Sequence, residues 1–213
     1  MIIPPYLKKK DAIGIICPAG FMPFEKAQAC IKTLQQWGFS VVEGKTLGNQ
    51  FNYFSGTDEE RLHDLQQMLN NENIKAILCA RGGYGLMRII DSIDFSVLQK
   101  HPKWIIGFSD ATVLHCHIQK NLGVATIHSK MCNSFPKDWA TAEDIQKATI
   151  NSIYASLSGK KSEYAAPYNI NNRLGQVTGE LIGGNLKTIL SLLGTASEPE
   201  TKNKILFVED TGE

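Results

Sequence analysis

The chain has no excess of charge of either sign, no long apolar run and no paired cysteines. Lys and Arg number 22 against 21 Asp and Glu, for a net charge of +1. That balance argues against a basic nucleic-acid face. The one basic run, Lys8-Lys9-Lys10, reads as the solvated start of a strand. With no stretch of about 18 consecutive apolar residues, no membrane-spanning helix is predicted. Met1-Ile2-Ile3-Pro4-Pro5 has neither the basic region nor the apolar core of a signal peptide. The five cysteines, Cys17, Cys30, Cys79, Cys116 and Cys132, are odd in number and form no CxxC pair. They read as reduced, mostly buried thiols, which predicts a cytoplasmic protein. None has the flanking residues of an activated thiol nucleophile. Neither G-x-G-x-x-G nor a P-loop occurs, so no nucleotide cofactor is expected, and no metal site either.

What is present is an alternation of strand and helix patterns. Ala12 to Cys17 is a short apolar run opening into Pro18-Ala19-Gly20, and Phe24 to Trp37 has helical spacing stopped by Gly38. Val41-Val42-Glu43 reads as a strand, Thr57-Asp58-Glu59-Glu60 as an acidic helix start, and Ile74 to Ala80 as a third strand. Trp104 to Gly107, then Val124 to His128, complete the strands of this part, and Ala142 to Leu157 is a helix. This order predicts an α/β fold with a parallel sheet covered on both faces. Composition shifts after Gly159-Lys160-Lys161, placing a boundary between residues 1–160 and 161–213. Beyond it, Leu174 to Leu186 suggests a strand, a Gly-rich turn at Gly183-Gly184 and a helix through Leu193. Lys204 to Val208 is the last strand, followed by Glu209-Asp210-Thr211-Gly212-Glu213. A second unit of roughly 50 residues is small for filling its own core, which predicts a longer natural product.

Three strand ends carry candidate chemistry. In Gly107-Phe108-Ser109-Asp110-Ala111 an apolar strand turns sharply into a helix pattern. Small residues two before and two after the serine let strand and helix approach, as in a nucleophile elbow, with Ala111 where Gly is usual. A helix N-cap at Ser109 or Asp110 explains the same residues without catalysis. Arg81-Gly82-Gly83-Tyr84-Gly85 follows a strand where α/β sheets bind ligands. Its backbone N–H groups suit an oxyanion or a carboxylate, with Arg81 as an anion anchor; a plain tight turn is the alternative. Glu209 ends the last strand and can serve as a triad carboxylate or as a surface acid. Of His63, His101, His115, His117 and His128, only His128 ends a strand beside the elbow strand, where it is a local base or a pocket-lining residue.

Taken together and in order, Ile16 to Gly20, Phe54 to Thr57 with Arg61, Ala80 to Gly85, Gly107 to Asp110, Gly183 to Leu186 and Leu206 to Asp210 resemble the LD-carboxypeptidases. This is the murein tetrapeptide carboxypeptidase family of serine peptidases, which includes microcin C immunity hydrolases. The resemblance implies a flavodoxin-like N-terminal domain and the beginning of a smaller β/α swivel-type C-terminal domain. It implies Ser109 as nucleophile, Glu209 as triad acid, and an oxyanion hole from the Asp110 N–H and the Gly82-Gly83 pair. Arg81, Tyr84 and Asn185 are the implied substrate contacts. The family's triad histidine lies well downstream of the glutamate, so none of the five histidines takes its place. The implied substrate is a murein tetrapeptide or related small peptide, with no nucleic-acid or membrane partner and a homodimeric assembly. Ser129-Lys130 departs from the family's Gly-Pro, which bears on local pocket shape. Hydrolysis of acyl-nucleotide conjugates and non-catalytic muropeptide binding are the alternative readings.

Overall fold

The computed structural model describes residues 1–210. Strands β1 (Ala12–Ile16), β2 (Ser40–Glu43), β3 (Ile74–Cys79), β4 (Trp104–Gly107) and β5 (Ile127–His128) form one sheet in the order β2-β1-β3-β4-β5. Every pairing is parallel. That is the flavodoxin-like order, and it reverses direction between β1 and β3, so the ligand crevice is expected outside the carboxyl ends of these strands.

The central strands are apolar on both faces because both faces are covered. Ile13 and Ile15 of β1, Ala76 and Leu78 of β3, and Trp104 and Ile106 of β4 pack with α1 (Gln28–Gln36) and α6 (Asp144–Leu157). The alternate residues Ile16, Ile77, Cys79 and Ile105 face α2 (Asp58–Asn70), α3 (Leu86–Ile89), α4 (Ser96–Lys100) and α5 (Thr112–Leu122). The period of two sorts one continuous apolar strand between two cores.

Helix α2 begins where its acids predicted. The Thr57 hydroxyl accepts from the Glu60 N–H at 3.2 Å, and the Thr57 N–H donates to the Glu60 carboxylate at 2.7 Å, a complete capping box. At the other end the buried Lys103 ammonium donates to the carbonyls of Leu69 and Asn71 at 2.8 and 2.9 Å. Burial pulls that ammonium down to about 8. All five cysteines are free and buried. No helix among the described residues is long and apolar enough to cross a membrane.

The second unit is a two-stranded parallel sheet, β6 (Leu181–Asn185) with β7 (Ile205–Glu209), joined through α7 (Leu186–Ser191). Here the structure corrects the sequence reading twice. Gly183 and Gly184 lie within β6, not in a turn. Both take positive φ, and a Cβ on Gly183 would stand 1.8 Å from the Phe207 carbonyl oxygen, while one on Gly184 would stand 2.5 Å from Thr112 Oγ1. The glycines let β6 press against both its partner strand and the start of α5. The strand also begins at Leu181, since residues 159–179 are exposed and irregular throughout. In the first unit, only Ile127 and His128 of the expected Val124–His128 strand join the sheet. The amide of Ala125 donates instead to Ile2, and the Ile2 amide donates to Gly123, so the N-terminal segment takes that edge. The sequence also predicts a Gly-containing turn at Gly212, which lies outside the described residues.

Candidate functional site

The elbow is built by crowding. All four residues of β4 are buried. Phe108 continues extended and Ser109 then takes φ +59°, the left-handed region that L-residues seldom occupy. Such a conformation costs on the order of 1–3 kcal/mol and persists only where the surroundings impose it. The imposing contacts are close: a Cβ on Gly107 would lie 2.8 Å from Ala111 Cβ and 3.2 Å from Cys79 Cβ. The small residues on either side of Ser109 are therefore required by packing, and the chain enters α5 at once through a 3-10 turn over Ser109–Ala111.

The Gly-rich loop after β3 is packed against the serine. A Cβ on Gly82 would sit 3.0 Å from Ser109 Cβ and 3.1 Å from Ser109 Oγ. The Gly82 carbonyl accepts from the Gly20 N–H at 3.1 Å, tying this loop to the one after β1. Gly83 has φ +116°, and Tyr53 and Gly20 close over it. The loops after β1, β3 and β4 thus converge at the carboxyl end of the sheet, where the strand order predicts a site.

Two buried charges lock that convergence. Arg61, on α2, has no solvent exposure. Its guanidinium donates to the carbonyls of Pro18 at 2.8 Å and Gly85 at 3.0 Å, and pairs with Asp58. Asp110, next to the serine, accepts from the Leu86 N–H at 2.9 Å. Burial pushes its carboxyl up to about 6, against the opposing pull of the Leu86 N–H and the Arg61 charge. Arg61 appeared in the sequence only as part of a motif. Its position on the apolar face of α2, four residues before Leu65, is the signal that marks it as a buried clamp.

The remaining expected residues fall differently. Arg81 donates to the Phe21 carbonyl, so its guanidinium is turned toward the loop after β1. Tyr84 is half-exposed, with its ring 6.3 Å from that of Phe54. Asn185 caps α7: its side-chain oxygen accepts from the Thr188 N–H at 3.1 Å, and its own N–H donates to Thr112 Oγ1 at 3.0 Å. That second bond fastens β6 three residues beyond the nucleophile position, and register then sets Asn185 opposite Glu209. Glu209 reaches back to the first sheet, where its Oε1 lies 3.9 Å from Nε2 of His128. His128 stands in register with Gly107, as the sequence suggested. His115 is occupied elsewhere, its Nε2 2.9 Å from the Gly107 carbonyl, and burial holds it down to about 4.

Four of the five thiols are too weakly acidic to compete with Ser109. Burial pushes the thiols of Cys17 and Cys116 up to about 11, and those of Cys30 and Cys79 also rise. A cavity of about 460 Å³ lies along the outer edge of β5 and reaches His115, His128, Gly183 and Phe207. Ser109 does not line it.

The profile of the LD-carboxypeptidase N-terminal domain matches residues 13–129, and that of the LD-carboxypeptidase C-terminal domain matches residues 178–213. A probable murein peptide carboxypeptidase of Bacillus subtilis is 38% identical over 212 residues, which is 99% of this chain and 65% of that protein. The murein tetrapeptide carboxypeptidase of Pseudomonas aeruginosa is 29% identical, over 94% of this chain and 66% of the relative. The crystal structure of a MccF-like protein from Bacillus anthracis superposes with a TM-score of 0.84 at 27% identity, covering 99% of this chain and 70% of that one. The chain thus spans about 65% of the length of the first of these relatives. With its strand order, elbow and two profile matches in agreement, the chain belongs to the LD-carboxypeptidase family.

Proposed function

We propose that this chain carries the nucleophile and the acid of a serine carboxypeptidase acting on murein tetrapeptides. Ser109 attacks the carbonyl that joins the L-centre of the diamino acid at peptide position three to the terminal D-alanine. The Asp110 N–H and a donor from Gly82 or Gly83 hold the resulting oxyanion. D-alanine leaves, and water resolves the serine ester. Glu209 orients the histidine that carries the proton, which we assign to the part of the relatives' length that this chain does not span. Arg81, Tyr84 and Asn185 are assigned to substrate. The protein works in the cytoplasm on recycled peptidoglycan, as a homodimer. Its first 160 residues form the nucleophile domain, and residues 161–213 belong to the domain of the acid.

The observation that carries this reading is Ser109 itself. A serine in the left-handed region, wedged between β4 and α5 with a glycine against its hydroxyl, is more than a helix cap requires. The test is D-alanine release from murein tetrapeptide, followed by mass spectrometry. Three proteins are compared: this chain, a chain of the relatives' full length, and the long chain with Ser109→Ala. Release by the long chain alone supports the reading, and equal release by Ser109→Ala defeats it. The likeness to MccF, solved in complex with aspartyl sulfamoyl adenosine, favours a second reading, hydrolysis of an acyl-sulfamoyl nucleotide. Turnover of such a conjugate by the long chain, with the tetrapeptide left intact, selects it.

A further inference from the structure

Two incompletely satisfied polar groups meet where the sheets come together. Glu209 Oε1 is closed off from solvent and has no hydrogen-bond donor among the described residues. His128 Nδ1 is also buried and without a partner among them. A carboxylate oxygen withdrawn from water without a donor is costly, so a donor within reach matters. The Nε2 of His128 stands 3.9 Å away. Bringing it to hydrogen-bond distance takes a shift of about 1 Å.

The surroundings limit what this imidazole can do. The ring is walled by Phe207 at 5.2 Å, His115 at 6.0 Å and Phe108 at 6.4 Å between centroids. His115, from α5, is neutral: its Nε2–H is committed to the Gly107 carbonyl and burial disfavours a second proton. Lys130 stands over the far ring, with its ammonium 4.9 Å from the Phe108 centroid. Glu209 is therefore the charged group that His128 answers to from β7. Burial lowers the His128 imidazole below its usual range, and Glu209 opposes that shift.

We propose that His128 is a positioning residue for Glu209: its Nε2–H donates to Oε1, fixes the carboxylate's orientation, and leaves Oε2 for the base histidine. The inference rests on the reading of Glu209 as the triad acid. A triad carboxylate acts by fixing the tautomer and orientation of its histidine, so the carboxylate must itself be fixed. β7 alone does not fix it, since the strand is exposed along most of its length.

The kinetic test uses a chain of the relatives' full length and murein tetrapeptide. His128→Ala is expected to lower kcat about 10- to 100-fold, the range seen when an outer hydrogen-bond partner is lost, with KM within about twofold. His128→Gln keeps an N–H donor and is expected to recover most of that loss. Unchanged kcat in His128→Ala overturns the proposal. So does an equal fall in both variants accompanied by a rise in KM, which marks a merely structural role. Ser109→Ala and Glu209→Gln serve as controls. If either keeps wild-type turnover, the catalytic reading itself fails and the positioning role falls with it. If both lose turnover while His128→Ala does not, only the present inference fails. The contact is also read directly in this 213-residue chain by nuclear magnetic resonance titration of His128. Glu209→Gln is expected to lower its midpoint, and an unmoved midpoint overturns the pairing.

Discussion

Ser109 and Glu209 end strands in the same molecule, yet they are held in opposite ways. The strand leading to Ser109 is buried at every position, and glycines, Ala111 and Cys79 press on the turn from several sides. The strand leading to Glu209 has three exposed positions of five, with Leu206 at 50% and Val208 at 46%. It is secured through its neighbour β6, which is fastened to Thr112 by one hydrogen bond and the close approach of Gly184. The nucleophile's geometry is over-determined by its own core, whereas the acid's geometry depends on a few contacts between units. A strained active-site turn such as the one at Ser109 persists because its surroundings impose it.

That contrast can be broken most severely at Arg61. Replacing it by Met leaves the Pro18 and Gly85 carbonyls without their donor in a site closed to water. Each buried acceptor so stranded costs about 1–3 kcal/mol, so a loss of roughly 3–5 kcal/mol is expected in urea unfolding. Gly107→Val tests the crowding itself. The added carbon meets Ala111 at 2.8 Å, and overpacking of this kind costs about 1–3 kcal/mol. Turnover in a full-length chain is expected to fall further than stability does, because the serine moves with the turn.

A subtler test uses pH. The folded carboxyl of Asp110 is raised from 3.8 to about 6, so its contribution to stability is present below pH 4 and is lost as pH rises through 6. His115 is lowered from 6.5 to about 4, so its contribution is present above 6.5 and is lost as pH falls toward 4. The two slopes oppose each other over one window. Asp110→Asn keeps an acceptor for the Leu86 N–H and removes one slope. Between pH 4 and 7 its stability relative to wild type is expected to rise by on the order of 2 kcal/mol, measured by urea melts. If the difference stays flat, Asp110 is ionised at low cost and the account of its burial fails. The smallest effect is expected at Glu209→Gln, with stability changed by less than about 0.5 kcal/mol, as for other partly exposed groups away from a core. A larger loss would show that the second sheet is as firmly built as the first.

Much of the first unit was legible in the residues. Period-two apolar runs marked β1, β3 and β4, the acids after Thr57 marked the start of α2, and Gly107 with Ala111 marked a close strand-to-helix turn. The second unit was less legible. Gly183 and Gly184 read as a turn because positive φ is most often met there; here the positive φ falls inside a strand, alongside close approach by Phe207 and Thr112, which only distant contacts create. The run Val124 to His128 read as one strand because its residues suit one, but the N-terminal segment takes the hydrogen bonds of its first half. Arg81 and Asn185 were read as substrate contacts. Their side chains have neighbours that spacing could not reveal, the Phe21 carbonyl and the Thr188 N–H.

The sequence by itself determined the alternation of elements, the two-faced burial of the central strands and the serine at a tight turn, because these follow from local patterning and from side-chain size at adjacent positions. Only the tertiary structure decided that Gly82 backs the hydroxyl, that Arg61 clamps the loops after β1 and β3, and that His128 faces Glu209 across two sheets. Those relations join residues 24 to 81 positions apart along the chain. No local rule reaches so far, because they exist only once strand order and register bring the strand ends together.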